Sequence, residues 1–571
     1  MLHAKRTSLV YPVVLLLTIF LLFVSAVFAA PAVTVISPTG GGSVGSPIFY
    51  EAYATSAGCA GGISAIRIYT APHVSPFTAN GSHLQTFIKL NPGTYETVVQ
   101  AFDNCGGVAK ANVDITVDAT AHVTVFLPSA RTAATPVHLA ASAQSPDCAA
   151  GINAIRIYTA DHTSPYTVNS NQLDTYLNFF PNNVNFTVQA FDNCGKVFKA
   201  AFTEAIATTN GAFLYGLSGD GNSNFIYQVN IGTDGSLKNP NGTSALPTFK
   251  TPSFFNALTV DPGGWFIYAV NAQNIFGWQV NRTTGALTLM PDSFPLDVNT
   301  HGSTPWSIDI DPSGNFLFVT YREPLPSGPN RVSTYRINRS TGALTFSGFS
   351  QTALTARIAF DMSGQYLYGI SDSGTIQVRG YRINPNIGTL SPLPGFPMDV
   401  TDQVFSPSIA TTDKFLYIAG TTNGGPGRVF GYDVDFSSGM VTPITTRFPF
   451  SPSSNLGIFG LTPDFLGRFI WSFQQQESST IAGFQPLDIS SDGGMVAANL
   501  AETDSQVLSV APDRNGKFVF TDSTGNSEMG DTEIPGFITW TLDDRGNWLN
   551  PVIFQTANSV GGVAAVRADP N

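Results

Sequence analysis

Charge is scarce in this chain: Asp, Glu, Lys and Arg make up 12% of its 571 residues, against roughly 25% in an ordinary soluble protein. The charge that is present leans acidic, 39 acids to 27 bases for a formal net of −12. No basic stripe exists to neutralise phosphates, which argues against a nucleic-acid binder. Histidine is as thin, seven in all with only His301 beyond residue 210, so chemistry built on clustered imidazoles has little to draw on. There is no GxSxG elbow, no HExxH, no GxxxxGK[ST] and no dinucleotide fingerprint, which removes the commonest hydrolase, zinc-protease and nucleotide signatures. No cofactor is called for. Cysteine stops at four, with no CxxC pair.

What fills the space is glycine (54), proline (38) and small polar residues, the composition of many short strands joined by many turns. The one long apolar run is at the start. Lys5 and Arg6 precede the apolar stretch Val13 to Val24, and Val27-Phe28-Ala29 offers a cleavage site, so residues 1–29 read as a signal peptide. The rival reading is an uncleaved anchor, since Pro12 to Ala30 is 19 residues and just spans a bilayer. Signal cleavage leaves no membrane span, and either reading places the bulk of the chain outside the cytoplasm. Cys59 and Cys105, and Cys148 and Cys194, are each 46 positions apart. Equal spacing in two copies is what intradomain disulfides in an oxidising compartment give; metal binding is the alternative.

Residues 30–118 and 119–208 are an internal duplication. Ala65-Ile66-Arg67-Ile68-Tyr69-Thr70 recurs 89 positions on as Ala154-Ile155-Arg156-Ile157-Tyr158-Thr159, and Gln100 to Gly106 recurs as Gln189 to Gly195. Each copy has alternating apolar runs between turn residues and one cysteine pair, which suggests an immunoglobulin-like sandwich. Leu173-Asp174-Thr175-Tyr176 followed by Phe186 to Asp192 resembles bacterial Ig-like domains of secreted proteins.

From residue 209 to 571 a second repeat takes over. Phe213-Leu214-Tyr215, Phe266-Ile267-Tyr268, Phe316-Leu317-Phe318, Tyr366-Leu367-Tyr368, Phe415-Leu416-Tyr417, Phe469-Ile470-Trp471 and Phe518-Val519-Phe520 begin 53, 50, 50, 49, 54 and 49 positions apart. Strand-like repeats near 50 residues are the mark of a β-propeller, one blade each. Every blade shows an inner strand, a tight turn such as Asp311-Pro312-Ser313-Gly314, the aromatic strand, a variable loop, a third strand and a second glycine turn such as Asn338 to Gly342. The first blade lacks an inner strand, and Gly562 to Val566 near the C-terminus is expected to supply it and close the ring. The predicted fold is all-β: two Ig-like sandwiches, then a seven-bladed propeller closed by the C-terminal strand.

The run Asp-Pro-Ser-Gly-x-Phe-Leu-Phe-Val at Asp311 to Val319, with Tyr335-Arg336-Ile337-Asn338 and Thr341-Gly342-Ala343-Leu344 after it, resembles the lactonase-like seven-bladed propellers, which include 6-phosphogluconolactonases and muconate-cyclising enzymes. The resemblance implies lactone chemistry at inner-strand positions, yet this chain departs from the pattern. Arg357 stands where the family's His would, Ala356 where its Arg would, Asp372 where its Glu would, and Trp306 where a second His would.

Lactone opening needs a base near neutral pKa and positive charge on the developing oxyanion. Asp372 or Glu323 are the candidate bases, with His301 beside them, and Arg357 is the oxyanion candidate unless it is salt-bridged to Asp372. An unperturbed carboxylate is a weak base at pH 7. Trp306 is a candidate sugar-stacking platform, with Arg331 and Arg357 as companion ligand contacts; Trp471 belongs to the core pattern. Glu528, Asp531 and Glu533 form a possible divalent-cation or cationic-ligand loop, a solvated acidic loop being the plainer reading. The leading functional expectation is an exported binding protein for a glycan, a cell-surface polymer or a protein. The alternative is a lactonase-like hydrolase or isomerase.

Overall fold

The computed structural model describes residues 29–567, apart from 130–131, 160–165, 180, 208–210, 220–223, 241–247, 252–254, 291–293, 295, 298–303, 322–330, 353, 355–356, 373–375, 401–403, 413, 423–425, 436, 453–455, 465–466, 476–481, 499, 504–509, 514–515, 524–535, 544–547 and 557–559. Residues 1–28 of the expected signal peptide therefore lie outside the described residues. Among those described, no helix is long and apolar enough to cross a membrane, and the regular structure is all strand.

Each duplicated module folds as a three-stranded and a five-stranded sheet. In the first, Ile48–Thr55 is flanked by Ala32–Ser37 and His83–Ile88, facing a sheet that contains Ile63–Tyr69, Gly93–Asp103 and Val108–Val117. Side chains of both sheets, among them Phe49, Leu84, Ile66, Val99 and Ile115, meet in one core. The second module repeats this with Leu139, Leu173, Ile155, Val188 and Ile206. The alternation follows from the strand period of two, which sends every other residue inward. The expected bridges are present, Cys59–Cys105 and Cys148–Cys194.

Seven sheets follow, each with a path of four strands, and four of them carry a short fifth strand beside the path. Six are contiguous in sequence, for example Pro305–Ile310, Phe316–Tyr321, Arg331–Ile337 and Leu344–Gln351 in order across the sheet. The first borrows its inner strand: Gly211–Gly219 pairs antiparallel with Val560–Arg567, Phe213 opposite Val566 and Tyr215 opposite Ala564. That closing strand also contacts the inner strands Ala257–Val260 and Val510–Pro512 of the blades on either side, so the ring is shut as the sequence predicts.

The aromatic triplets also stitch blade to blade. Tyr215, Tyr268, Tyr368 and Tyr417 are buried, and their hydroxyls donate to the carbonyls of Gly285, Gly342, Gly439 and Gly493, the second-turn glycines of the following blades, at 2.5–2.9 Å. Where the triplet ends in Phe318 or Phe520, a threonine of the third strand substitutes: Thr334 bonds Gly388 and Thr539 bonds Gly235. These glycines have φ near +70 to +80°, and a Cβ on Gly342 would stand 2.5 Å from the Phe266 ring, so both backbone conformation and space demand glycine.

The modules dock on one face of the propeller, the face of the tight turns. His83 and Gln85 come from the edge strand His83–Ile88 of module one, Asp174 and Tyr176 from the edge strand Gln172–Leu177 of module two. His83 lies flat on Trp265 with centroids 3.8 Å apart, and its Nδ1 donates to the Arg339 carbonyl at 3.0 Å. Gln85 exchanges backbone bonds with the Ser340 hydroxyl. The Tyr176 amide donates to the Ser313 carbonyl, and Arg339 lies over the Tyr176 ring. Between them runs a chain of ionisable groups: His83 to Glu51 at 3.4 Å, Glu51 to His138 at 3.2 Å, His138 to Asp174 at 2.8 Å, and Asp174 to Arg339 at 3.3 Å. Pairing at every link is what makes burying these charges tolerable.

Candidate functional site

Strand direction places the candidate residues. Pro305–Ile310 ends in the turn at Asp311 to Gly314, where module two docks. Its start, with Trp306, is therefore at the opposite end, about 17 Å away at the rise of a strand. Arg357 immediately precedes the inner strand Ile358–Phe360, Arg331 opens the third strand Arg331–Ile337, and Asp372 closes the second strand Tyr366–Asp372. All four lie on the face away from the modules. The modules dock on the other face.

Trp306 sits in a β-bulge. The pairing steps from Pro305 opposite Tyr321 to Ser307 opposite Thr320, leaving Trp306 as the extra residue, and its side chain is 40% exposed. A bulge re-aims a side chain out of the strand's alternation. The same device recurs in the sixth blade, where Phe459 falls in the break between Ile458 and Gly460 and is 37% exposed. Phe459 precedes Asp464 by five residues, as Trp306 precedes Asp311. Two aromatics are thus turned out at equivalent places on the far mouth. Sequence reading missed Phe459; the signal was an aromatic at the Trp306 position in the repeat alignment.

Asp309 was missed as well. The Ser307 hydroxyl donates to its carboxylate at 2.6 Å. Burial pushes the Asp309 carboxyl above its ordinary range, opposed by that hydrogen bond and by the positive charge of Arg357. Arg357 itself is exposed. The inner strands of blades three and four therefore bring a carboxyl of raised pKa within electrostatic reach of a guanidinium, with Trp306 three residues before that carboxyl on the same strand.

Arg331 is held apart from this group. It lies two strands outward in the blade, about 10 Å across the sheet, with its guanidinium 4.6 Å from the Phe349 ring centre. Trp471 is fully buried and Trp540 donates from Nε1 to Thr521, both core placements. His301, Glu323, Glu528, Asp531 and Glu533, and the side chain of Asp372, lie outside the described residues. Among the described residues, the His, Cys, Asp and Glu groupings close enough for a shared ion are Cys59, Asp103, Cys105 and Cys148, Asp192, Cys194. Their sulfurs are joined as disulfides, and Asp103 and Asp192 instead accept backbone amides from Cys105 and Gly107, and from Cys194 and Lys196. The metal alternative for the cysteines is thereby replaced by oxidised pairs.

Residues 258–399 match the family model described as Lactonase, 7-bladed beta-propeller. Among solved structures, the periplasmic gluconolactonase of Pseudomonas aeruginosa is 16% identical with a TM-score of 0.47, over 63% of this chain and 99% of that one. A provisional 6-phosphogluconolactonase from Bacteroides uniformis ATCC 8492 is 14% identical with a TM-score of 0.48, over 63% and 100%. No curated protein matches the chain.

Proposed function

We propose, from the premise that this is a lactonase-like seven-bladed propeller, that its far mouth binds an anionic carbohydrate-derived ligand, a sugar acid or a glycan carrying one. The two N-terminal modules serve as Ig-like spacers on an exported chain, in keeping with their two disulfides. The observation that carries the reading is the bulge at Trp306, which holds an indole out at the channel mouth one strand position from the Ser307–Asp309 pair. An aromatic face stacks on the apolar face of a sugar ring, and Arg357 supplies the charge for a carboxylate. The test is calorimetric titration with gluconate and glucuronate oligomers. Micromolar to millimolar binding that falls at least tenfold in Trp306→Ala and in Arg357→Ala supports it; equal binding by both variants overturns it.

One observation favours a second reading, lactone hydrolysis. A carboxyl whose pKa is raised by burial beside a guanidinium is suited to act as a general base. In that reaction Asp309 takes a proton from water and the hydroxide oxygen bonds the lactone carbonyl carbon. Arg357 faces the oxyanion, the ring C–O bond breaks, and the departing alkoxide recovers the proton. Titration of acid released from gluconolactone decides it. Turnover would appear as pH rises through the raised pKa of Asp309 and vanish in Asp309→Asn; no turnover above the buffer rate by folded protein retires this reading and leaves the binding test intact.

A further inference from the structure

The second module carries a groove of about 720 Å³ between the strands His122–Leu127 and Val197–Ala207. Its walls include His122, Thr124, Pro128, Phe202 and Glu204. Both strands are sheet margins on this side. His122–Leu127 is the terminal strand of the three-stranded sheet, pairing only with Val137–Gln144. Beyond Val197–Ala207 the described residues supply only Thr132–Ala134, which covers Ala205 to Ala207 and leaves the ladder edge from Val197 to Glu204 open.

Glu204 is the anomaly. It is 2% exposed and its Oε1 has no hydrogen-bond partner among the described residues. Burial alone pushes its carboxyl up to about 7. The neighbouring His122 is engaged elsewhere, at 3.0 Å from the Thr120 carbonyl and 3.5 Å from Asp118. A buried acid without a partner is destabilising, and the fold does not require one here. In the duplicate module the equivalent residue, 89 positions earlier, is Ile115, packed in the core at 1% exposure. One sandwich fills the position with an alkyl side chain; its sister keeps a carboxyl facing an open groove. A local rule broken without compensation among the described residues points to a partner from outside them.

From this geometry we infer that the groove, whose other side is shared by Ser43 of the first module with Gly45 bonded to the Thr124 hydroxyl, receives an extended peptide segment of another protein, laid along the open edge from Val197 to Glu204, with a lysine or arginine side chain reaching Glu204. Edge addition supplies backbone hydrogen bonds and a single side-chain pocket supplies selectivity, the usual division in strand augmentation. The buried carboxylate gives the charge complement that selects a basic over an apolar side chain.

Two immobilised pentapeptide mixtures test this, one with lysine and one with norleucine at the central position and mixed residues elsewhere, probed with the full-length chain. The expected result is at least tenfold greater retention on the lysine mixture, abolished in Glu204→Gln. Glu204→Ile, the residue its sister module uses, is expected to melt at a higher temperature than the parent and to bind neither mixture. Equal retention of the parent and Glu204→Gln would mean adsorption through net charge and overturn the inference. So would failure of the folded parent to prefer lysine.

Discussion

His83 of the first module and Trp265 of the propeller are stacked face to face, 3.8 Å between centroids and 10° from parallel. The contact ties the first of the two duplicated modules to the second blade, and it continues into the ionisable chain through Glu51, His138, Asp174 and Arg339. That chain makes docking sensitive to pH from both sides. Glu51 and Asp174 are held below their ordinary values of 4.5 and 3.8, against the opposing effect of burial, by His138 and, for Asp174, foremost by Arg339. Their contribution is present above those values and lost as pH falls through the lowered ones. His138 is held above its ordinary 6.5, against burial, by Glu51 and Asp174. Its contribution is full below 6.5 and lost as pH rises through the raised value. The expected result is tightest packing of the two modules on each other between about pH 4.5 and 6.5, read as slowest protease cleavage at the junction between them. His138→Gln should remove the alkaline limb and shrink the acid limb to what Arg339 provides for Asp174.

The closing strand predicts its own deletion. Removing residues 560–571 opens the pairing of Phe213 with Val566 and of Tyr215 with Ala564 and leaves Gly211–Gly219 as a bare edge. Scanning calorimetry should show the propeller transition fall by about 10 °C or more, equivalent to several kcal/mol at this domain size, with the transition of the modules unmoved.

The tyrosine stitches predict a graded effect. Tyr368→Phe leaves the buried Gly439 carbonyl without its donor and should cost about 1–2 kcal/mol in denaturant unfolding. Thr334→Val at the weaker 3.4 Å link to Gly388 should cost less. Gly439→Ala combines a φ of +75° with a clash against the Tyr366 ring and should cost more than either.

The bridge in each module closes a loop of 46 residues. Replacing Cys59 and Cys105 by alanine is expected to cost about 4 kcal/mol on the chain-entropy estimate. Under reducing agent the module transitions should fall while the propeller, which has no bridge, holds.

Much of the architecture was legible because it repeats. Seven aromatic triplets, seven glycine turns and a missing first inner strand determine a closed ring, and two equally spaced cysteine pairs anticipate the disulfides. The docking surface was not legible in that way, because Glu51, His138 and Asp174 belong to different strands that only the tertiary fold brings within 3.2 Å. A trace of it does sit in the duplication. Glu51 faces Ala140 in the alignment, Phe49 faces His138, Gln85 faces Asp174, and Ile115 faces Glu204. Two copies of one fold differ most tellingly where each has something different to touch. The site on the far mouth was half legible: Trp306 and Arg357 could be chosen by position, whereas Asp309 looked like an ordinary inner-strand acid until burial and its Ser307 neighbour were known.

The ring closure has a further consequence, for the order in which the molecule is made. Phe213 and Val566 are 353 positions apart, while the other six blades each assemble from contiguous chain. The entropy of so long a loop grows only slowly with its length, but contacts this distant are reached late. As the chain emerges, the modules and their landing turns on blades two and three are complete while the first blade still waits for its innermost strand. Until Val560–Arg567 arrives, the nascent propeller is a crescent with a raw edge at Gly211–Gly219, exposed to strand exchange with a neighbouring chain. Val560–Arg567, the most C-terminal of the described strands, is the one that ends that exposure.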